Sequence, residues 1–244
     1  MTAGEAHELM SALPFAHWRT ILGGADPLVF APHADDESLG CGGLLALCAA
    51  EGGSPAVLVL TDGTGSHPRS LRYPPERLLA LREREARGAV DRLGVAPDRV
   101  TFLRVPDTAA PTEGDGFEAA VMATAAWLRR WGCGVLLAPW RHDPHGDHWA
   151  AHLMAAEVAR RTGVVHLAYP VWGWTLPDET ALSGPAPAGF RLDVRVVLPA
   201  KREAIAAHRS QYAGLIDDDP AGFQMAPVFI DRFTGPYETF LTSP

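Results

Sequence analysis

At 244 residues the chain can bury one sizeable α/β core and does not require two domains. Its 47% hydrophobic and 20% charged residues are ordinary for a globular protein and exclude intrinsic disorder. A net charge of −8 excludes nucleic acid as the main partner, since phosphate binding needs concentrated Lys and Arg. The opening stretch, MTAGEAHELMSALPFAHW, has neither a basic start nor a continuous apolar run. It therefore predicts no secretory leader, and no run approaches the ~18 apolar residues of a membrane span. A cytoplasmic location is the expectation.

PLVFAP (27–32) is a short apolar run bounded by prolines and predicts a buried strand. Apolar residues at helical spacing follow over 37–53 and stop at a Gly pair. PAVLVLTDG (55–63) is a second buried strand. The segment 74–94 opens with proline, carries Leu78, Leu81, Ala89 and Leu93 near one stripe, and closes on Gly94: a helix. Its arginines alternate with Glu83, Glu85 and Asp91 and read as a solvated face. A strand at 99–105, a helix at 117–132, a strand at 134–140, a helix at 148–163 and a strand at 164–172 continue the alternation. Residues 173–190 are rich in Pro and Gly and predict a surface loop or lid. A strand at 191–198, a helix at 199–211 and a short tail complete the chain.

Near-continuous apolar strands alternating with helices predict a single Rossmann-like α/β domain over 1–244, with a mostly parallel sheet covered by helices on both faces. Cys41, Cys48 and Cys133 form no CxxC and read as small core residues rather than disulfides or zinc ligands. SLGCGGLL (38–45) is not a dinucleotide fingerprint, because Leu45 occupies the last position of GxGxxG. Its glycines lie inside a helix, where close packing on the sheet explains them.

Chemistry gathers at two predicted strand ends. FAPHADDESLG (30–40) places His33, Asp35, Asp36 and Glu37 in the turn after the first strand. LLAPWRHDPHGDHWAAH (136–152) places His142, Asp143, His145, Asp147, His148 and His152 after a later one. In open α/β sheets ligands sit outside the carboxyl ends of strands. Imidazole and carboxylate without thiolate suit Zn²⁺ or Fe²⁺, whereas Mg²⁺ and Ca²⁺ prefer all-oxygen shells. His33, Asp36 and His148 could supply three ligands, leaving Asp35 and His145 for proton work. Against this stands a plainer reading, in which the acids of 35–37 merely decorate a helix N-terminus. His152, one turn after His148, is expected to be a supporting or packed residue. Two His and one carboxylate also describe the non-haem Fe(II) facial triad, and a non-catalytic sugar- or nucleotide-binding module is a further alternative. Trp140, Trp172 and Trp174 are candidates either for stacking on a sugar or for packing.

With both clusters in view the chain resembles the PIG-L/LmbE-like superfamily of metal-dependent de-N-acetylases. That family carries His-Pro-Asp-Asp-Glu and His-Pro-Asp-His motifs; here they read His33-Ala34-Asp35-Asp36-Glu37 and His145-Gly146-Asp147-His148. TDGTG (61–65), REREARGAVDRLG (82–94) and KREAIAAHRSQ (201–211) extend the likeness over about 28–211. Each motif lacks its proline, but Pro32 and Pro144 precede the two histidines instead. The resemblance implies that His33, Asp36 and His148 bind zinc and that Asp35 is the general base. It implies an electrophilic or acid role for His145, oriented by Asp147, and a substrate contact for Arg82. The implied reaction removes an acetyl or other acyl group from the amide nitrogen of a small N-acyl amino sugar.

Overall fold

The computed structural model describes residues 1–243. Seven strands make one sheet: β1 (Pro27–Ala31), β2 (Ala56–Thr61), β3 (Val100–Val105), β4 (Val135–Pro139), β5 (Val165–Tyr169), β6 (Gly189–Asp193) and β7 (Tyr237–Thr242). Their order is β3-β2-β1-β4-β5-β7-β6. The first five are parallel; β7 pairs antiparallel with both β5 and β6.

The helices are α1 (Ala3–Ala12), α2 (Trp18–Ile21), α3 (Asp36–Ala50), α4 (Pro75–Arg92), α5 (Gly114–Trp131), α6 (Gly146–Thr162), α7 (Leu198–Ala207), α8 (Arg209–Tyr212) and α9 (Pro227–Phe233). Strand alternation distributes them over two faces. In β1, Val29 and Ala31 join the core formed with α3, α4 and α7, whereas Leu28 and Phe30 join the core formed with α5 and α6. β2 and β4 repeat the division: Val57 and Leu137 go one way, Leu58 and Leu136 the other. With both faces covered, every residue of β1, β2 and β4 is buried, which is why these strands read as unbroken apolar runs. None of the described helices is long and apolar enough to cross a membrane.

The strand expected at 191–198 lies at Gly189–Asp193, and α7 begins where the rest of that segment turns. The helix expected at 199–211 is interrupted at His208. The expected tail is instead α9 and β7, with β7 inserted between β5 and β6. Buried Glu238 pins β7 to α3 by accepting hydrogen bonds from the amides of Gly43 and Leu44 and from Lys201 Nζ. Residues 178–181 pair with the start of α1, through Ala3 N to Thr180 O and Gly4 N to Asp178 O. The three cysteines are free and buried.

β1 pairs with β2 on one side and β4 on the other. The chain runs outward from β1 through β2 to β3, and outward again from β4 to β5. The carboxyl ends of β1 and β4 therefore flank the topological switch point, the crevice where doubly wound sheets bind ligands. Both histidine-rich turns leave the sheet there.

Candidate active site

After β1, the carbonyl of Pro32 accepts both the amide and the hydroxyl of Thr61, tying the turn to β2. The His33 amide donates to Asp36 Oδ2 at 3.0 Å, so the turn folds back on the first residue of α3. Glu37, wholly buried, accepts from the Asp35 amide (2.9 Å), the Ser38 hydroxyl (2.7 Å) and His208 Nε2 (3.0 Å). After β4, Asp143 receives the amides of Val171, Trp172 and Gly173 and also His148 Nδ1 at 2.9 Å.

These bonds orient the two imidazoles. Asp143 accepts a hydrogen bond from His148 Nδ1, which turns Nε2 toward Asp36; in the neutral ring Nε2 carries the lone pair. That nitrogen is buried without a hydrogen-bond partner, yet lies 3.2 Å from Asp36 Oδ2. His33 Nε2 sits 3.1 Å from Asp147 Oδ2 and 3.2 Å from Asp107 Oδ1, so its other nitrogen, Nδ1, faces Asp36 Oδ2 at 3.3 Å. Three bonds of 2.0–2.1 Å in a tetrahedron place ligand atoms about 3.3 Å apart. The two separations to Asp36 match that edge, and a bound cation would satisfy the His148 nitrogen, which has no hydrogen-bond partner among the described residues. His33, Asp36 and His148 could therefore hold a divalent ion. Nitrogens of His33, His145 and His148 also lie within 4.8 Å of one another, so His145 borders the same point.

Charge follows from the contacts. Burial disfavours charge on His148, but Asp36 and Asp143 outweigh it and lift the imidazole to about 9. His33 is likewise held well above the ordinary range: burial opposes this, and the bonds to Asp107, Asp147 and Asp36 prevail. Asp36 is correspondingly held far below the usual carboxylate range, burial being overcome chiefly by His148 and then His33. Asp35 behaves oppositely. Burial lifts its carboxyl to about 7 despite the Arg82 guanidinium at 3.2 Å.

His33, Asp35, Asp36, Arg82 and His145 line one cavity of about 560 Å³, with Trp172, Phe223 and Met225 among its apolar lining. One expected contact differs. The Asp147 carboxylate does not reach His145; it is taken by His33 and by the amides of Thr108 and Ala110. His145 is instead fixed by the Asp147 backbone, whose N–H donates to Nδ1 at 3.2 Å. The terminal nitrogens of Arg82 are engaged with Gly63 O, Ala34 O and Asp35, so its side chain braces the Asp35 turn. Of the 173–190 segment, no residue lines this cavity; the 211–225 segment contributes Gln211, Phe223 and Met225. His152 is a packed residue, its Nδ1 bonded to Pro139 O and its ring stacked on Trp149.

Sequence reasoning gave no role to Asp107, Asp143 or His208. Asp143 lay inside the second cluster and could have been found there. Asp107 and His208 come from distant segments and carry no local signal.

A family model for PIG-L, described as GlcNAc-PI de-N-acetylase, matches residues 28–159. The 2'-N-acetylparomamine deacetylase of Streptomyces fradiae is 34% identical over 136 residues, covering 51% of this chain and 49% of that protein. The alignment thus spans about half of that relative. Among solved structures, the conserved protein TT1542 of Thermus thermophilus superposes with a TM-score of 0.65 at 27% identity, covering 90% of this chain and 95% of the other. The N,N'-diacetylchitobiose deacetylase of Pyrococcus horikoshii superposes with a TM-score of 0.68 at 20% identity, covering 98% and 90%.

Proposed function

The chain belongs to the PIG-L family, and from that premise we propose that it is a metal-dependent hydrolase removing an acetyl or other acyl group from the amide nitrogen of a small N-acyl amino sugar. The observation that carries the reading is the unpartnered, buried Nε2 of His148 beside Asp36 Oδ2. Relatives named as deacetylases of 2'-N-acetylparomamine and N,N'-diacetylchitobiose support the substrate class.

In this reading His33, Asp36 and His148 hold the ion, Zn²⁺ or Fe²⁺ being the divalent ions such ligands suit. Bound there, it would bring the pKa of a water down to about 7 and polarise the substrate carbonyl. Asp35 is the general base. Its carboxyl, lifted to about 7 by burial, moves toward the ionised form when a cation sits beside its neighbour Asp36. A base with a pKa near working pH can take the proton of the attacking water and return it to the departing amine. Arg82 holds that carboxyl in place.

His145 is the oxyanion donor. Because its Nδ1 accepts from the Asp147 amide, the proton of the neutral ring resides on Nε2. Burial, followed by His33 and His148, holds this imidazole below its ordinary pKa. It therefore acts as a neutral, electrophilic donor. A well-placed donor of this kind lowers the barrier by about 3 kcal/mol.

An acetate-release screen over N-acetyl amino sugars, run anaerobically with the zinc-loaded protein, tests the proposal. Hydrolysis of at least one such amide is expected. Fully metal-loaded protein that releases no carboxylate from any of them overturns it, and dioxygen consumption with Fe(II) would move the site to oxygenase chemistry.

A further inference from the structure

A second cavity, of about 740 Å³, shares Leu39 with the first; Trp172 lines one and Trp174 the other. Its charged lining is Arg191, Arg232, Lys201 and Glu238. Three cations face one carboxylate, in a chain whose net charge is −8.

The carboxylate is already satisfied. Glu238 accepts from Lys201 Nζ at 2.7 Å and from the amides of Gly43 and Leu44 at 2.6 and 2.8 Å. A buried Lys–Glu pair that anchors β7 to α3 accounts for these contacts. It does not account for the arginines. The Arg232 guanidinium lies 3.8 Å from the centroid of Trp174 and has no ion pair or hydrogen bond among the described residues. Arg191 donates Nε to Leu13 O at 2.8 Å, and its guanidinium lies 4.2 Å from Phe15 and 5.8 Å from Tyr237. Its two terminal nitrogens have no hydrogen-bond partner among the described residues. Lys201 is 1% exposed and gives only the bond to Glu238, leaving two ammonium protons unassigned.

Guanidinium groups packed on aromatic rings keep their N–H edges free, and those edges match the oxygens of a phosphate or carboxylate. We infer that this cavity is a binding site for a phosphate-like oxyanion, gripped by Arg191 and Arg232 with Lys201 at its base. The anion is either a free small ion or an anionic arm of a ligand that reaches past Leu39; the recognising chemistry is the same. The inference does not depend on the reaction proposed above.

Calorimetric titration of the full chain with inorganic phosphate, at constant ionic strength, tests it. One site is expected, weakened about tenfold by Arg232→Gln. Arg191→Gln should weaken it too, but Arg191 also holds Leu13, so the Arg232 variant decides. Undiminished phosphate affinity in Arg232→Gln overturns the inference, and so does a wild-type chain that binds no phosphate at millimolar concentration. Phosphate inhibition that is competitive with a neutral N-acetyl sugar and is lost in Arg232→Gln identifies the site with a substrate arm. Calorimetric binding without competition identifies a free-anion site.

Discussion

His148 Nε2 and Asp36 Oδ2 lie 3.2 Å apart in the buried interior, and the nitrogen has no hydrogen bond. His33 Nδ1 reaches the same oxygen at 3.3 Å. The triangle is held from outside, by Asp143 on one imidazole and by Asp107 and Asp147 on the other. Carboxylates behind ligating histidines fix the tautomer and raise ligand basicity. His148→Ala is therefore expected to abolish stoichiometric zinc and turnover together, and Asp143→Asn to weaken zinc by about 10- to 100-fold with the fold kept. Competition with a chromophoric chelator measures both; unchanged affinity in His148→Ala would remove the residue from the site.

Asp35 separates from this set chemically. Its carboxylate bonds Arg82 and no imidazole, and burial lifts the carboxyl to about 7. Asp35→Asn should keep the metal and lower kcat by roughly 10²–10⁴-fold, the usual worth of acid–base assistance. The pair of readouts is what matters. Lost zinc would make Asp35 a ligand, and near-normal turnover would assign the proton transfer elsewhere.

The metal-free chain has a pH dependence whose sign follows from the same contacts. His148 is held at about 9 against an ordinary 6.5, so its stabilising charge is fully present below 6.5 and is lost as pH rises through 9. His33 and His208 are raised as well and act in the same sense; at His208 burial is outweighed mainly by Glu37. Asp35, about 7 against an ordinary 3.8, favours the folded state most when neutral, and that advantage disappears between those values. With chelator present the melting temperature should fall from pH 6 to pH 9. Zinc affinity should rise over the same interval, because the imidazoles must release protons to bind. A melting temperature that is flat or rising would mean that these histidines are neutral in the folded apoprotein.

Much of this is legible in the sequence, for identifiable reasons. Strands buried on both faces leave unbroken apolar runs, so β1, β2 and β4 and the turns after them could be placed. His33, Asp36 and His148 fall in two compact motifs, and the sheet brings those motifs together. The misses lie where long-range contacts decide. β7 is six residues long and is secured by Glu238 reaching the backbone of α3, a contact without a local pattern. The Asp147 carboxylate was expected on His145 because the two are neighbours in sequence. The amides of Thr108 and Ala110, on a different crossover, capture it first. Asp107 and His208 were invisible for the same reason. The cavity wall built by Phe223 and Met225 follows a stretch whose sequence gives no periodicity to read.

Glu37 shows how far such a contact can matter. It is wholly buried and joins the Asp35 amide to His208, whose own pKa is raised. Glu37→Ala would strand a buried imidazolium and free the turn carrying Asp35. Breaking a buried pair costs about 3–5 kcal/mol. Urea denaturation of the apoprotein near pH 6 should show a loss of that order, and His208→Ala combined with it should recover part. Full additivity of the two substitutions would dissolve the coupling between them.

The glycines of α3 give the last expectation. A β-carbon on Gly40 would run into the Tyr169 ring, and one on Gly43 into Val194. Tyr169 cannot retreat easily: it is fully buried and its hydroxyl donates to Phe30 O at 3.0 Å, across β4 from its own strand. Gly40→Ala must therefore move α3 away from β5, an overpacking that costs about 1–3 kcal/mol. Asp36 is the first residue of that helix, so the displacement reaches the proposed metal site. The variant should melt at lower temperature and bind zinc more weakly, although residue 40 does not line the cavity that holds His33 and Asp35. Ala46, buried on the same helix, supplies the control: Ala46→Gly should lower stability through helix propensity, by about 1 kcal/mol, and leave zinc affinity alone. If both variants lose stability equally and neither changes zinc affinity, the position of α3 against β5 does not govern the site.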